Sequence, residues 1–289
     1  MPELPEVETL VQGLKKTLLN LRIERVDVRL SKIVKGSVSQ FQEILKNNKF
    51  IRIFRRGKFI ILQLEQPSSS YLLIHLRMTG QLIYAQGQKI VVGGGHGQSK
   101  DDFDLPSTQT HLIIHFQNNF QLFYNDQRQF GYWRTIKVLE LKKIEERLGI
   151  EPLGPKFTFN NFRKLLQGRK GKIKPFLLNQ KYIAGLGNIY VDESLFQAKI
   201  QPTRPINSLK IVEIKRLHQA ILKIIKKAID YRGTTFNSYR DSLGRRGNFS
   251  KFLKVYQREG EYCLRCKQAL IKKIKVGGRG TRYCPFCQK

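Results

Sequence analysis

Cys263-Leu264-Arg265-Cys266 and Cys284-Pro285-Phe286-Cys287 enclose 17 residues at the end of a 289-residue chain. Each Cys-x-x-Cys turn offers two sulfurs, and the interval between the pairs falls within the range of a four-thiolate zinc site. Gly277-Gly278-Arg279-Gly280 supplies a hairpin tip between them. The spacing thus predicts a zinc ribbon at Cys263, Cys266, Cys284 and Cys287. The metal is expected to be structural, because four protein ligands leave no position for a substrate. A pair of redox dithiols is the alternative. Lys272, Lys273, Lys275, Arg279 and Arg282 surround the tip and suit it to phosphate contacts. These are the only 4 cysteines of the chain, too localised to form a disulfide framework for a secreted fold.

Upstream of the ribbon, Gly233 to Gly247 reads as a polar loop carrying Arg240, Arg245 and Arg246. Before it, Asn160 to Leu166, Lys172 to Leu178, Tyr190 to Gln197 and Leu209 to Ile229 have helical apolar spacing, with Asn160 and Ser208 as caps. Two glycines and two prolines between Leu148 and Pro155 mark a linker. Ahead of the linker the character is β: Phe59 to Leu64, Tyr71 to Leu76, His111 to Phe116 and Phe120 to Tyr124 are short runs separated by turn residues. The Gly, Ser and Asp-rich stretch from Gln86 to Thr110 predicts a long, mobile surface loop. From Glu6, the residues Val7, Leu10, Val11, Leu14 and Leu18 predict a helix, and Pro5 suits its first turn. The chain is therefore expected to be α+β, with a β-rich domain at 1–148, a linker at 149–158, a helical domain at 159–260 and the zinc finger at 261–289.

With 53 Lys and Arg against 22 Asp and Glu, the formal charge is +31, which points to a polyanionic partner. An anionic membrane is the other option. Basic residues run through both halves with no transmembrane run and no lipidation motif, and this favours nucleic acid. The opening Met1-Pro2-Glu3-Leu4-Pro5-Glu6 lacks the pattern of a secretory signal, so a cytoplasmic location is expected.

The same opening offers a nucleophile. Covalent attack on a sugar carbon to form an iminium ion requires an unprotonated amine. An α-amino group, with a reference pKa of roughly 8 against about 10.4 for lysine, is neutral at pH 7 several hundredfold more often. The following helix lowers that pKa further, while Glu3 and Glu6 oppose the shift and are candidates for proton transfer. Pro2 becomes such an amine only when Met1 is removed. A proline after the initiator and glutamates in a first helical turn are also ordinary features without any chemistry.

Pro2-Glu3-Leu4-Pro5-Glu6-Val7-Glu8-Thr9, together with the four-cysteine tail, resembles the formamidopyrimidine-DNA glycosylase family of bifunctional repair enzymes. Arg56-Gly57-Lys58, His75-Leu76-Arg77-Met78-Thr79-Gly80, Arg128-Gln129-Phe130-Gly131, Ile183 to Tyr190 and Gly278-Arg279-Gly280-Thr281 look like further blocks of that family in family order, spanning almost the whole chain. The resemblance implies an N-terminal β-sandwich flanked by helices, a helix-two-turn-helix domain and the zinc ribbon. It implies Pro2 as nucleophile, Glu3 as principal acid/base group, Glu6 assisting, and Lys58 as phosphate ligand or proton donor. It likewise makes His75, Lys174, Asn188 and Arg279 backbone contacts to DNA, and Met78, Arg128 and Phe130 the residues that fill the stack when a damaged nucleotide leaves. Without it, Met78 and Phe130 read as core residues.

Gln127, Gln129 and Arg282 depart from the family pattern, as does the long 86–110 stretch, which leaves the opposite-base preference open. The expected activity is excision of oxidised purines, 8-oxoguanine and formamidopyrimidines, from duplex DNA, followed by β,δ-elimination. One structural zinc ion, no soluble cofactor and a monomer bound to damaged double-stranded DNA are expected, associated with the nucleoid and not with a membrane. The alternatives are a sister-branch glycosylase for oxidised pyrimidines, whose opening usually carries Gly where Leu4 stands, and a non-catalytic zinc-ribbon DNA-binding protein.

Overall fold

Helix α1 (Leu4–Leu18) starts almost at the terminus, with Pro5 in its first turn, and buries Val7, Leu10, Val11, Leu14 and Leu18 along one face. The computed structural model describes residues 1–87, 89–95, 105–234 and 248–289. After α1 come β1 (Ile23–Val28), α2 (Val38–Leu45), β2 (Phe50–Arg56), β3 (Phe59–Leu64), β4 (Ser70–His75) and β5 (Gly80–Gln86). They are followed by β6 (Lys89–Gly95), β7 (Thr110–Phe116), β8 (Gln121–Asp126), β9 (Tyr132–Lys137) and α3 (Val138–Arg147).

The strands form two antiparallel sheets, ordered β1-β7-β8-β5-β6 and β2-β3-β4-β9. Alternation explains their apolar runs. Ile60 and Leu62 of one sheet join Leu82, Tyr84, Leu112 and Ile114 of the other in a shared core with α1 and α2, which makes the pair a sandwich. The intervening Ile61 and Leu73 face outward and are covered by Leu141 of α3, so these strands are apolar on both faces.

The composition of 86–110 predicts loop, whereas Lys89–Gly95 is an edge strand paired with β5. Packing overrides the weak β preference of its glycines: Val92 is buried against α1 beside Gly13, where an added Cβ would lie 2.9 Å from the valine. Residues 96–104 lie outside the described residues, and so does 235–247, which includes Arg240, Arg245 and Arg246.

Contacts divide the chain into two units, Met1–Glu146 with Tyr231–Ser250, and Arg147–Asp230 with Lys251–Lys289. The sequence-based domain at 159–260 does not anticipate the transfer of 231–250 to the first unit. Hydrogen bonds from Thr234 to Glu6 hold that segment there.

The second unit contains α4 (Phe159–Leu166), α5 (Ile173–Leu178), α6 (Asn188–Gln197), α7 (Ile211–Asp230) and the hairpin β10 (Lys272–Val276) and β11 (Arg279–Tyr283). Two caps differ from expectation. Thr158 Oγ1 accepts from Asn161 N at 3.2 Å and places Asn160 inside α4. Ser208 sits in a preceding 3-10 turn, and Glu213 accepts from Lys210 N at 2.9 Å at the start of α7. Gly277 and Gly278 make the two-residue hairpin turn, both at positive φ (55° and 76°), which only glycine adopts freely. Among the described residues, no helix is long and apolar enough to cross a membrane.

Candidate active site and nucleic-acid interface

The N-terminal cluster is built on the first turn of α1. Glu3 and Glu6 cap each other, the Glu3 N–H donating to Glu6 Oε2 at 2.9 Å. Glu6 Oε1 accepts from the Thr234 N–H and hydroxyl at 2.7 and 3.0 Å. Gly233 is required beside it, because its φ is +77° and a Cβ would lie 2.6 Å from that oxygen. Pro2 and Glu3 are buried. Lys58, also buried, follows Gly57 in the two-residue turn between β2 and β3.

These groups share one electrostatic neighbourhood. Burial lowers the pKa of the terminal amine from 8.0, and Lys58 and Arg128 add to the effect against the opposing charges of Glu3 and Glu6. Desolvation prevails because a buried ammonium loses hydration that two carboxylates do not fully replace. The consequence is chemical: the neutral, nucleophilic form of the amine gains population at neutral pH. In the unprocessed chain this amine belongs to Met1, and removal of that residue would present the secondary amine of Pro2.

His75 closes β4 with its ring against Phe59 and Tyr132. Burial, then the charges of Arg77 and Lys58, hold its pKa down at about 3. Its Nδ1 accepts the Arg77 N–H at 3.0 Å, so the neutral ring carries its proton on Nε2 and can donate one hydrogen bond. Met78, three residues after His75, is half-buried. Phe130 is 54% exposed, with the Arg128 guanidinium 4.8 Å from its ring centre. An exposed phenylalanine stacked on an arginine is poorly explained by core packing and suits contact with a base.

The second unit presents its own constellation. Asn188 opens α6 after Gly187 and donates to the Gly280 carbonyl at 2.9 Å. Arg279 is exposed beside the hairpin turn. Lys174 differs from the expected surface contact: it is fully buried, 2.6 Å from Asp192 and 3.3 Å from the Gly280 carbonyl. Burial pushes Asp192 up to about 6 while Lys174 pulls the other way. Asp192 also accepts the Arg282 N–H at 3.0 Å, so the ion pair ties α5 and α6 to the hairpin.

The four cysteine sulfurs lie within 4.8 Å of one another. The Cys263–Cys287 and Cys266–Cys284 separations are 3.9 and 3.8 Å, against ~3.8 Å for tetrahedral ligands about 2.3 Å from an ion. The cluster can hold a metal ion. Sequence reasoning missed Thr234, Asp192 and Asp126, none of which announces itself by type. The only signal was proximity in sequence, Asp192 and Asp126 standing beside residues already singled out.

Residues 1–133 match the family model of the formamidopyrimidine-DNA glycosylase N-terminal domain, and residues 148–240 match that of the formamidopyrimidine-DNA glycosylase H2TH domain. The formamidopyrimidine-DNA glycosylase of Pelotomaculum thermopropionicum is 43% identical, the match covering 100% of this chain and 99% of that protein. That of Heliobacterium modesticaldum is 39% identical over 100% of both. A crystal structure of a Lactococcus lactis Fpg variant with DNA containing Fapy-dG superposes with a TM-score of 0.86 at 36% identity, covering 100% of both chains. The L. lactis enzyme with abasic-site DNA gives the same TM-score over 99% of both chains.

Proposed function

The chain belongs to the formamidopyrimidine-DNA glycosylase family of base-excision repair, a DNA glycosylase/AP lyase family, and from that premise we propose that it excises oxidised purines through an iminium at Pro2 and then nicks the strand. The lone pair of the Pro2 nitrogen attacks the sugar C1′ as the glycosidic bond breaks, and the departing base takes up a proton. The amine proton is lost and the C1′–O4′ bond opens, giving the iminium and an alcohol at O4′. Glu3 supplies the proton to O4′, with Glu6 assisting. Removal of a C2′ proton then expels the 3′-phosphate, and a second elimination expels the 5′-phosphate.

The observation that carries this proposal is Pro2, buried with Glu3 and Lys58, next to a terminal amine whose pKa desolvation lowers against the charges of Glu3 and Glu6. Duplex DNA as partner is supported by the DNA complexes of the L. lactis relatives. Lys58, the His75 Nε2–H, Asn188 and Arg279 hold phosphates, while Lys174 acts by fixing the hairpin that carries Arg279. Met78, Arg128 and Phe130 fill the gap left by the rotated nucleotide. The sulfur separations support one structural zinc ion, which braces the hairpin and supplies no chemistry to the reaction.

Borohydride trapping tests the mechanism on duplexes bearing 8-oxoguanine, an oxidised pyrimidine or no lesion. Mass spectrometry of the adduct should show a chain without Met1, linked through Pro2 and formed fastest on 8-oxoguanine. Attachment through a lysine, or none, would refute the Pro2 route, and faster trapping on the pyrimidine would move the enzyme to the sister branch.

A further inference from the structure

Two loops carry the three wedge candidates, and both cross from one sheet of the sandwich to the other. Residues 76–79 link β4 to β5 and carry Met78; residues 127–131 link β8 to β9 and carry Arg128 and Phe130. Asp126, the last residue of β8, lies at the root of both and is fully buried. Its Oδ1 accepts the Thr79 hydroxyl at 2.5 Å. Its Oδ2 accepts the Tyr124 hydroxyl at 2.9 Å and the Gly131 N–H at 2.7 Å. Thr79 in turn accepts the Arg128 N–H at 3.0 Å, so one hydroxyl bridges the loops directly. The Asp126 carbonyl accepts from His111 Nε2 at 2.9 Å and from the Gln129 N–H at 3.1 Å. Gly131 leaves no latitude, since a Cβ there would lie 1.9 Å from the Tyr124 oxygen.

We infer that Asp126, with Thr79 as its bridge, is a positioning residue that locks the two wedge loops into one frame, so that Met78, Arg128 and Phe130 enter the base stack together. The inference rests on the wedge assignment proposed above. A buried carboxylate is an expensive way to close two loops unless its several acceptor sites are used. Here three donors from three chain segments converge on it. An amide of the same shape offers one acceptor oxygen in place of two, so Asp126→Asn removes an acceptor from the frame while preserving volume. Thr79→Val removes the bridge with the same economy of shape, and Thr79→Ser restores it.

The test compares single-turnover excision of 8-oxoguanine from a duplex with cleavage of a preformed abasic site, alongside the fluorescence of a 2-aminopurine next to the lesion. Displacing a positioned group by about 1 Å can lower a rate ~100-fold. Asp126→Asn and Thr79→Val should therefore lower duplex excision by ~10- to 100-fold. Abasic cleavage should stay within ~3-fold, since that substrate has no base left to expel. The fluorescence rise that reports unstacking should be lost in the same variants and recovered in Thr79→Ser. If Asp126→Asn does not fold, the two Thr79 variants decide. Equal losses on both substrates, or Thr79→Val behaving as wild type, would overturn the clamp. Phe130→Ala is the independent control for the wedge: unimpaired excision in that variant defeats the wedge assignment and the clamp with it, whereas impairment in Phe130→Ala alone defeats only the clamp.

Discussion

The imidazole of His75 is neutral because burial strips the charged form of its hydration, Arg77 and Lys58 repel a positive charge, and Nδ1 already accepts from the Arg77 N–H. The folded chain therefore refuses a proton down to about pH 3, whereas the unfolded chain accepts one at its ordinary value of 6.5. The sign follows. Above pH 6.5 both states are neutral and the contribution of His75 to stability is complete. As the pH falls below that value the unfolded state gains the proton alone, and stability should drop by up to about 1.4 kcal/mol per pH unit. Urea unfolding between pH 7 and 4.5 should show this slope in the wild type and lose most of it in His75→Gln; parallel curves would contradict the assignment. His75, Glu3 and Lys58 were legible in the sequence because motif blocks display them. The neutrality of His75 was not, since it comes from Phe59, Tyr132 and Arg77 packed around it.

Two elements depend on groups that their own propensities do not supply. The β10–β11 hairpin has only five residues per strand, and an isolated hairpin is marginal in water. The apolar cluster around the cysteines is small, Phe196, Val255, Cys263, Ile271 and Cys284, and the hairpin itself buries only Val276, Thr281 and Tyr283, so bound metal should contribute a large share of its order. Chelation should release the hairpin, seen as loss of amide-exchange protection at residues 272–283, and should abolish DNA binding; full affinity in metal-free protein would exclude this role. The Lys174–Asp192 pair is the second support. Asp192→Ala would take from the buried Lys174 the carboxylate 2.6 Å away and should destabilise the second unit by about 3–5 kcal/mol in denaturant titration. Replacing both partners with apolar residues should recover much of that loss, and an equally unstable double variant would show that packing, not charge, is at stake. The periodicity made α1 and α7 legible, and the cysteine spacing made the ribbon legible. Strand β6 was hidden because Gly93, Gly94 and Gly95 advertise a loop, and only burial of Val92 against α1 makes a strand of them.

At the level of the whole chain, the two units are each discontinuous in sequence. Local patterns put a linker at 149–158, whereas contacts divide the chain between Glu146 and Arg147, and those patterns could not show that 231–250 returns to the first unit, a return that includes Glu6 accepting from a residue 228 positions away. Charge is the property both units share, and a surplus of +31 exceeds what four named phosphate contacts can use. Part of it must act at long range or serve only solubility. The outward face of α7 separates the cases. Lys215, Lys223 and Lys226 are exposed there along one stripe, opposite the buried Leu217, Ile221 and Ile225. A lysine that sits on a phosphate releases a counterion, and its loss lowers the salt slope of binding by about 1. Arg279→Gln should do so, weakening binding to every sequence alike. Converting all three α7 lysines to glutamine should leave the slope within about 0.5 of wild type and slow association only at low salt, where screening is weak. Measured between 50 and 200 mM salt, a slope reduced by ~3 in the α7 variant would instead make that stripe a contact surface for the duplex.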